Sequence, residues 1–219
     1  MDIDSWMKEY RRICKELGLS QEADRDARDI AARLMEGREQ PIRKLESLIH
    51  SHDVIVFGAG PSLPEGVSAL TSDKKKMTLI AADGAASCLL EAGIYPDIVV
   101  TDLDGKKEDL LLSDRFGSVM AVHAHGDNIP ALKSLLPRLR NAVATTQVEP
   151  VPGVSNFFGF TDGDRAVFLA RHFGARSVEL IGFDFGGDVG KYSDPEDPTD
   201  HEASEAKKKK LEIAKRLIG

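Results

Sequence analysis

From residue 53 onward, short runs rich in Val, Ile and Ala alternate with stretches whose apolar residues recur at helical spacing. This alternation limits the fold more than any other feature of the sequence. The apolar runs predict strands near residues 53–57, 77–82, 97–101, 118–123, 141–145 and 177–182, and helical patterns lie between them near 62–71, 84–92, 106–113, 129–136 and 163–173. Strands that are apolar on both sides and alternate with helices are typical of a parallel sheet covered on both faces. The chain is therefore predicted to be an α/β protein with a mostly parallel sheet.

The first 50 residues have a different character. They are rich in charged residues and poor in β-branched ones, and their apolar positions recur at helical spacing. Gly18 is expected to end a first helix, Ser20 to cap a second and Pro41 to begin a third. We therefore predict two parts: an N-terminal helical segment over residues 1–50, and a Rossmann-like domain over residues 51–219. The segment is expected to pack on the main domain, and a homodimer built through it is the alternative.

The chain's end is predicted to be a basic amphipathic helix over residues 202–218. A lysine run, Lys207 to Lys210, lies within it. Such a run is more often a solvated face than a phosphate site, and this is the interpretation we adopt from the sequence.

Composition excludes several classes of function. The net charge of −7 argues against general attraction to nucleic acid or anionic lipid. No apolar run approaches the roughly 20 residues of a membrane span, and the acidic N-terminus does not resemble a targeting segment. Cys14 and Cys88 lie far apart with no metal-ligand spacing, as expected of free thiols in a reducing compartment. We expect a cytoplasmic protein that binds neither nucleic acid nor membrane.

Nearly every predicted strand ends in Gly, Asp, His or Asn, and the carboxyl ends of parallel strands are where ligands bind. The first strand runs into Gly58-Ala-Gly60-Pro61-Ser62, where glycines let the backbone approach a phosphate near a helix start. Leu63 stands where the dinucleotide fingerprint requires a third glycine, which disfavours an NAD(P) enzyme. A plain tight turn is the alternative for this stretch.

Carboxylates follow the next two strands. Asp102 and Asp104 close a strongly apolar strand, where charges need solvent, a partner or a metal. Mg²⁺ prefers oxygen ligands and is often bound by one or two carboxylates together with substrate phosphates, so a D-x-D at a strand end favours a Mg²⁺ site. Asp83 follows the preceding strand beside small residues, which allows a nucleotide to approach closely. Capping of the following helices is the alternative for all three residues.

Polar residues also follow the later strands. His123 and His125 suggest zinc, but we expect their side chains to point to opposite sides and therefore reject that metal. Asp127 and Asn128 are candidate ligand contacts, while Arg165 offers a planar fork to phosphate beside Asp162, with a capping box as the alternative there. Asp184 follows the last strand, and a long polar loop containing Tyr192 comes after it, as in a mobile flap.

At these residues the chain resembles known families. Ala82-Asp83-Gly-Ala-Ala, Pro96-Asp97 running into Asp102-Leu-Asp104-Gly105, and His125-Gly-Asp127-Asn128 are similar to motifs of thiamin pyrophosphokinase. Ala85, Thr101 and Gly105 depart from that pattern, and the β-rich C-terminal half of that family is missing. The archaeal 6-hydroxymethyl-7,8-dihydropterin pyrophosphokinases resemble the chain over most of its length, including the 58–62 turn, Gly182-Phe-Asp-Phe-Gly186, Lys191-Tyr-Ser193 and the Lys-rich final helix.

This resemblance implies ATP and a hydroxymethyl dihydropterin as substrates, Mg²⁺ as cofactor and AMP as a product. The predicted metal ligands are Asp83, Asp102, Asp104 and Asp127, and the predicted catalytic residues are Asp102, Asp104 and Asp127, with Asp127 accepting the hydroxyl proton. The predicted nucleotide contacts are Gly58, Gly60, Pro61, Ser62, Asp83 and Arg165. The predicted contacts to the heterocycle are Asn128, Asp162, Asp184 and Tyr192, under a closing loop at 186–193. The alternatives are a metal-dependent nucleotide-sugar glycosyltransferase of the same domain family, a thiamin pyrophosphokinase-like enzyme and a non-catalytic nucleotide sensor.

Overall fold

A computed structural model describes residues 1–219 and confirms the α/β prediction. The helices are α1 (Ile3–Leu17), α2 (Gln21–Met35), α3 (Ile42–Ile49), α4 (Leu63–Ser68), α5 (Ala85–Glu91), α6 (Lys107–Arg115), α7 (Ile129–Leu135), α8 (Asp162–His172) and α9 (Glu205–Ile218). The strands are β1 (Asp53–Phe57), β2 (Thr78–Ala82), β3 (Ile98–Thr101), β4 (Val119–Ala124), β5 (Ala142–Thr146), β6 (Ser177–Ile181), β7 (Asp188–Val189) and β8 (His201–Glu202). All six predicted strands lie within about a residue of their expected bounds.

Strands β1 to β6 form one sheet in the order β5-β4-β3-β2-β1-β6, and every pair in it is parallel. The chain adds β2 to β5 successively on one side of β1 and then returns to place β6 on the other side. The order therefore reverses between β1 and β6. In open α/β sheets such a switch point opens a crevice at the carboxyl ends of the strands, and ligands bind there.

Helices cover both faces of the sheet, as predicted. Alternate strand residues point to opposite faces, so Ile55 and Phe57 enter one core while Val54 and Val56 enter the other. The first core is filled by α2 and by α4 to α7, and the second by α3, α8 and the end of α9. Strands β1 to β5 are buried on both faces, which is why they are continuous apolar runs in the sequence, whereas the edge strand β6 is partly exposed.

The N-terminal helices pack on the main domain. Gly18 ends α1 with a φ of 70°, and the Ser20 hydroxyl caps α2 by accepting a hydrogen bond from the Ala23 N–H at 3.3 Å. One face of α2 (Ala27, Ala31 and Met35) is buried in the first core. Trp6, Tyr10 and Ile13 of α1 form a further apolar cluster with Ile213 of α9. The division at residue 50 and a homodimer through this segment remain predictions.

Strands β7 and β8 form a small antiparallel hairpin that the sequence did not predict, because the segment is rich in Asp, Pro and Gly. The segment between them packs against the sheet edge. A Cβ on Gly84 would lie 1.8 Å from the Tyr192 carbonyl oxygen, and one on Gly190 would lie 2.5 Å from that of Ala59. The hairpin is thereby fixed beside the turns that follow β1 and β2. None of the helices combines the length and apolar character needed to cross a membrane.

Candidate active site

A cavity of about 470 Å³ opens at the carboxyl edge of the sheet. Its walls come from the end of α1, the start of α2, the turns after β1 to β4, the start of α8, the β6–β7 segment and α9. The volume falls in the usual range for small-molecule sites. Nine of the predicted site residues line it: Gly58, Gly60, Asp83, Asp102, Asp104, Asp127, Asp162, Arg165 and Asp184.

Three carboxylates from different elements meet inside the cavity. Asp83 follows β2, Asp102 follows β3 and Asp162 begins α8, and one oxygen from each lies within 4.8 Å of the others. Asp83 and Leu103 hold left-handed backbone conformations, with φ of 39° and 72°. Side chains other than glycine rarely adopt these angles, and such strain concentrates at functional sites. Leu103 is buried in the core while the carboxylates on either side of it line the cavity.

The carboxylates perturb one another strongly. Burial, followed by the charges of Asp104 and Asp162, raises the pKa of Asp83, and burial with the charge of Asp102 raises that of Asp162. Burial and the charge of Asp102 raise the pKa of Asp104 to about 6. Burial is the largest single influence on Asp102 and opposes its ionisation. The hydrogen bonds with His125 and Asp104, together with the charges of His125 and Arg165, outweigh it and hold the pKa of Asp102 below its usual range. The protein alone therefore stabilises one negative charge here and disfavours the others.

The donor set fits a hard divalent cation. Asp102 Oδ2 lies 3.2 Å from His125 Nε2, but its buried Oδ1 has no hydrogen-bond partner. A buried carboxylate oxygen without a donor is costly unless something outside the protein satisfies it. A cation such as Mg²⁺ would coordinate that oxygen and remove the repulsion among Asp83, Asp102 and Asp162.

The expectation that His123 and His125 point to opposite sides was wrong. Residues two apart on an extended segment face the same side, and the two rings are stacked with their centroids 5.9 Å apart. Burial and the nearby charge of Arg165 lower the pKa of His123 well below its usual range, so its ring is neutral. His125 instead contacts Asp102, and no zinc-type group of His or Cys ligands forms.

Arg165 lies at the cavity floor and is already engaged by protein groups. It donates to Asp162 at 3.1 Å and to the Gln147 side chain at 2.8 Å. The alternative interpretation of this stretch, a capping box, is present: the N–H of Thr161 donates to the Asp164 carboxylate. The capping box at the start of α8 and the placement of Arg165 on the cavity wall therefore occur together. Through its hydrogen bond, Arg165 orients the carboxylate of Asp162.

The 58–62 turn is tied to β6 across the switch point. The Gly58 N–H donates to the Ile181 carbonyl at 2.8 Å, and Asp184 Oδ2 accepts from the Ser62 N–H and hydroxyl at 2.9 and 2.7 Å. Gly60 is required at this contact, since a Cβ there would lie 2.2 Å from Asp184 Oδ2. Asp184 thus supports the turn in addition to lining the cavity.

Four predicted contacts do not line the cavity: Pro61, Ser62, Asn128 and Tyr192. Asn128 is buried behind the cluster, where its amide donates to the carbonyl oxygens of Asp102 and His123 at 2.6 and 2.7 Å. The Tyr192 hydroxyl donates to Glu91, away from the cavity. These two side chains therefore support neighbouring backbone and helices in this structure.

Several lining residues were missed by the sequence reasoning. They are Asp24, Gln147, Phe160, Phe183, Phe185, Asp188, Lys207 and Lys210. Asp24 and Lys207 lie far from the strand ends in sequence, and their helices read as ordinary amphipathic helices. The spacing of Lys207 and Lys210 by three residues was a usable signal, since it places both on one helix face.

Fold and site together define an α/β protein of Rossmann-like architecture with an acidic, cation-type centre at the switch point of a parallel sheet. Comparison with known proteins narrows this class. A family model described as 6-hydroxymethylpterin diphosphokinase MptE-like matches residues 28–189. The chain belongs to the MptE-like 6-hydroxymethylpterin diphosphokinase family, which confirms the resemblance seen in the sequence.

Three curated proteins named 6-hydroxymethyl-7,8-dihydropterin pyrophosphokinase match over the whole chain. Those from Methanothermobacter thermautotrophicus, Pyrococcus furiosus and Methanocaldococcus jannaschii are 44%, 49% and 41% identical, and the matches cover 94%, 93% and 95% of their lengths. Among solved structures, the MAf glycosyltransferase of Magnetospirillum magneticum matches with a TM-score of 0.50 and 17% identity. That match covers 97% of this chain and 37% of the other, and it shows likeness of fold alone.

Proposed function

We propose that this chain is a pyrophosphokinase that transfers the terminal diphosphate of ATP to 6-hydroxymethyl-7,8-dihydropterin, releasing AMP. Its product would serve the synthesis of reduced pterin cofactors of the folate or methanopterin type. Family membership and the full-length relatives support the reaction. The meeting of Asp83, Asp102 and Asp162 at the switch point is the structural observation that carries the proposal.

The metal role falls to the three carboxylates that meet. Asp83, Asp102 and Asp162 would hold Mg²⁺, with Asp104 beside them as a further or water-mediated ligand. When bound, Mg²⁺ supplies charge neutralisation for the phosphate oxygens. The metal ligands predicted from the sequence included Asp127, whereas the ligand set proposed from the structure has Asp162 instead.

The protein's part in the reaction is mainly to position the two substrates. In the step we propose, the hydroxymethyl oxygen of the pterin bonds to the β-phosphorus of ATP, and the bond from that phosphorus to the α–β bridging oxygen breaks. AMP leaves with the bridging oxygen, and the hydroxyl proton passes to a base. Asp127 is our candidate for that base, because its carboxylate lines the cavity, is exposed and makes no hydrogen bond within the protein.

The heterocycle requires an apolar surface and polar atoms along its edge. Phe160, Phe183 and Phe185 line the cavity together with Asp184. Only Oδ2 of Asp184 accepts from Ser62, which leaves Oδ1 as an acceptor for ring N–H or amino groups. Binding of both substrates in one cavity would provide the proximity that phosphoryl transfer depends on.

The experiment that tests this function is an AMP-release assay with ATP, with and without Mg²⁺, over a small panel of acceptors. We expect AMP in equal amount to the pterin diphosphate, formed with 6-hydroxymethyl-7,8-dihydropterin and not with thiamin. If the protein cleaves a nucleotide sugar and releases no AMP, the proposed function is wrong and the protein is a glycosyltransferase. Binding of Mg-ATP without turnover on any acceptor would indicate a nucleotide sensor.

A further inference from the structure

The lysine run of α9 divides between two helix faces. Lys207 and Lys210 line the cavity, whereas Lys208 pairs with Glu202 at 2.6 Å and with Glu205 at 3.2 Å outside it. Lys209 is exposed and does not line the cavity. Two lysines of the run, Lys207 and Lys210, therefore lie on the helix face that lines the cavity.

Lys207 is a half-buried cation without an anionic partner. Its ammonium group donates to the Ser193 hydroxyl at 3.1 Å, and no carboxylate lies within ion-pair distance of it. Its charge nevertheless acts on the carboxylate cluster, where it opposes the rise in the pKa of Asp104. Lys207 thus lies beside the proposed metal centre with its charge uncommitted.

To bind a nucleoside triphosphate, the cavity requires a positively charged side chain that is not already paired. Asp24, Asp83, Asp102, Asp104, Asp127, Asp162, Asp184 and Asp188 all line it. A nucleoside triphosphate remains anionic after binding one divalent ion, so these acids would repel it. Arg165 meets the need less well, because two of its guanidinium nitrogens donate to Asp162 and Gln147 and its charge is paired with Asp162, although its buried Nε has no partner. The other formal cations on the cavity wall are Lys207 and Lys210.

We propose that Lys207, assisted by Lys210, binds the nucleotide's phosphates beyond the α-phosphate. This inference rests on the proposed function, in that the ligand is a triphosphate whose distal groups lie at the carboxylate cluster. An ammonium group suits the task as a mobile point charge with three donors. Because Lys207 donates to Ser193, which belongs to the segment between β7 and β8, a phosphate bound by Lys207 would also lie beside that segment.

The test is a comparison of two ligands by calorimetry. The probes are AMP and the Mg²⁺ complex of α,β-methylene-ATP, which cannot be cleaved at the reacting bond. We expect Lys207→Ala to weaken the analogue at least ~10-fold, about 1.4 kcal/mol, and to leave AMP affinity within a factor of about two. Lys207→Arg keeps the charge and should retain most of the affinity, and Lys209→Ala is the matched control that should change neither ligand.

Unchanged analogue affinity in Lys207→Ala, or equal losses for AMP and the analogue, would overturn the proposal. Unfolding temperatures of all four proteins show whether a loss comes from misfolding, and Lys207→Arg keeps the test decisive if the alanine variant is unstable. The assay uses no pterin acceptor. If wild type binds the analogue but transfers nothing to a pterin, the proposed function fails while the lysine assignment is still decided by the variants.

Discussion

The carboxylate of Asp24, on α2, accepts a hydrogen bond from the Gly126 N–H at 2.9 Å. The N-terminal segment is thereby bonded directly to the turn that carries His125 and Asp127. The other oxygen of Asp24 accepts from the Tyr10 hydroxyl and from the Gln147 side chain, and Gln147 in turn accepts from Arg165 at 2.8 Å. A chain of hydrogen bonds therefore runs from α1 to the carboxylate cluster, which makes the N-terminal helices part of the site.

Substitution of Asp24 should damage both stability and activity. In Asp24→Asn the side-chain NH2 must take the place of one carboxylate oxygen, so it faces either the Gln147 amide NH2 or the Gly126 N–H. Both are donors, so in either orientation a buried contact between donors replaces a hydrogen bond. We expect the free energy of unfolding to fall by about 1–3 kcal/mol and kcat to fall more than KM rises. Urea unfolding and steady-state kinetics measure these effects.

Tyr10→Phe is the matched control for that network. It removes one donor and leaves Asp24 its bonds to Gly126 and Gln147, so we expect a loss of about 1 kcal/mol and nearly normal kcat. Equal loss of kcat in the two variants would show that general destabilisation, rather than positioning, explains the effect.

Removal of a clustered carboxylate should separate activity from stability. We expect Asp102→Asn and Asp162→Asn to lower turnover at least ~100-fold, about 2.7 kcal/mol of transition-state stabilisation. Because burial and the charge of Asp102 raise the pKa of Asp162, its ionised form is destabilised, and Asp162→Asn should raise the melting temperature of the metal-free protein. A large loss of stability in Asp162→Asn, or near-normal turnover in both variants, would contradict the metal assignment.

The pH dependence of stability follows from the same raised pKa values. Asp104 has a folded-state pKa of about 6, above its unfolded value, so between these values the folded state binds more protons than the unfolded state. This contribution to stability is therefore present at low pH and is lost as pH rises through about 6. We expect the metal-free protein to lose stability as the pH rises from about 4 to about 6, and Asp104→Asn to show a shallower loss.

Addition of Mg²⁺ supplies the control for the pH effect. The cation competes with protons for the carboxylates, so it binds better at higher pH. It should therefore raise the melting temperature more at a pH of about 7.5 than at a pH of about 5. Differential scanning calorimetry at both pH values measures this, and an equal increase at the two would argue against binding by these carboxylates.

The contact between the 58–62 turn and Asp184 predicts a glycine requirement. A Cβ at Gly60 would lie 2.7 Å from the Gly182 carbonyl oxygen as well as close to Asp184, so the backbone must shift. We expect Gly60→Ala to weaken nucleotide affinity at least ~10-fold, about 1.4 kcal/mol. Gly186→Ala is the matched control, because a Cβ there meets nothing within 4 Å, and calorimetric titration with nucleotide compares the two.

The sheet could be predicted because β1 to β5 are buried on both faces, so their apolar runs mark the strands directly, while the partly exposed edge strand β6 still carries Val178, Leu180 and Ile181. Because both residues follow parallel strands, Asp83 and Asp102 were also correctly predicted to meet at the sheet edge, although they are 19 positions apart in sequence. What the sequence did not reveal depends on tertiary packing. Asp24 and Lys207 enter the cavity because α2 and α9 pack beside it. The spacing of Lys207 and Lys210 shows that they share a helix face, but no local pattern shows what that face meets.

The central claim is that the side chains of Asp83, Asp102 and Asp162 hold a divalent cation against a nucleotide. Electron paramagnetic resonance of Mn²⁺ in the presence of α,β-methylene-ATP tests it most directly, with the nucleotide alone as reference. The account predicts that wild-type protein broadens the resonance of the Mn–nucleotide complex, whereas Asp102→Asn and Asp162→Asn leave that resonance as in the reference. Equal binding of Mn²⁺ by wild type and both variants would contradict the account.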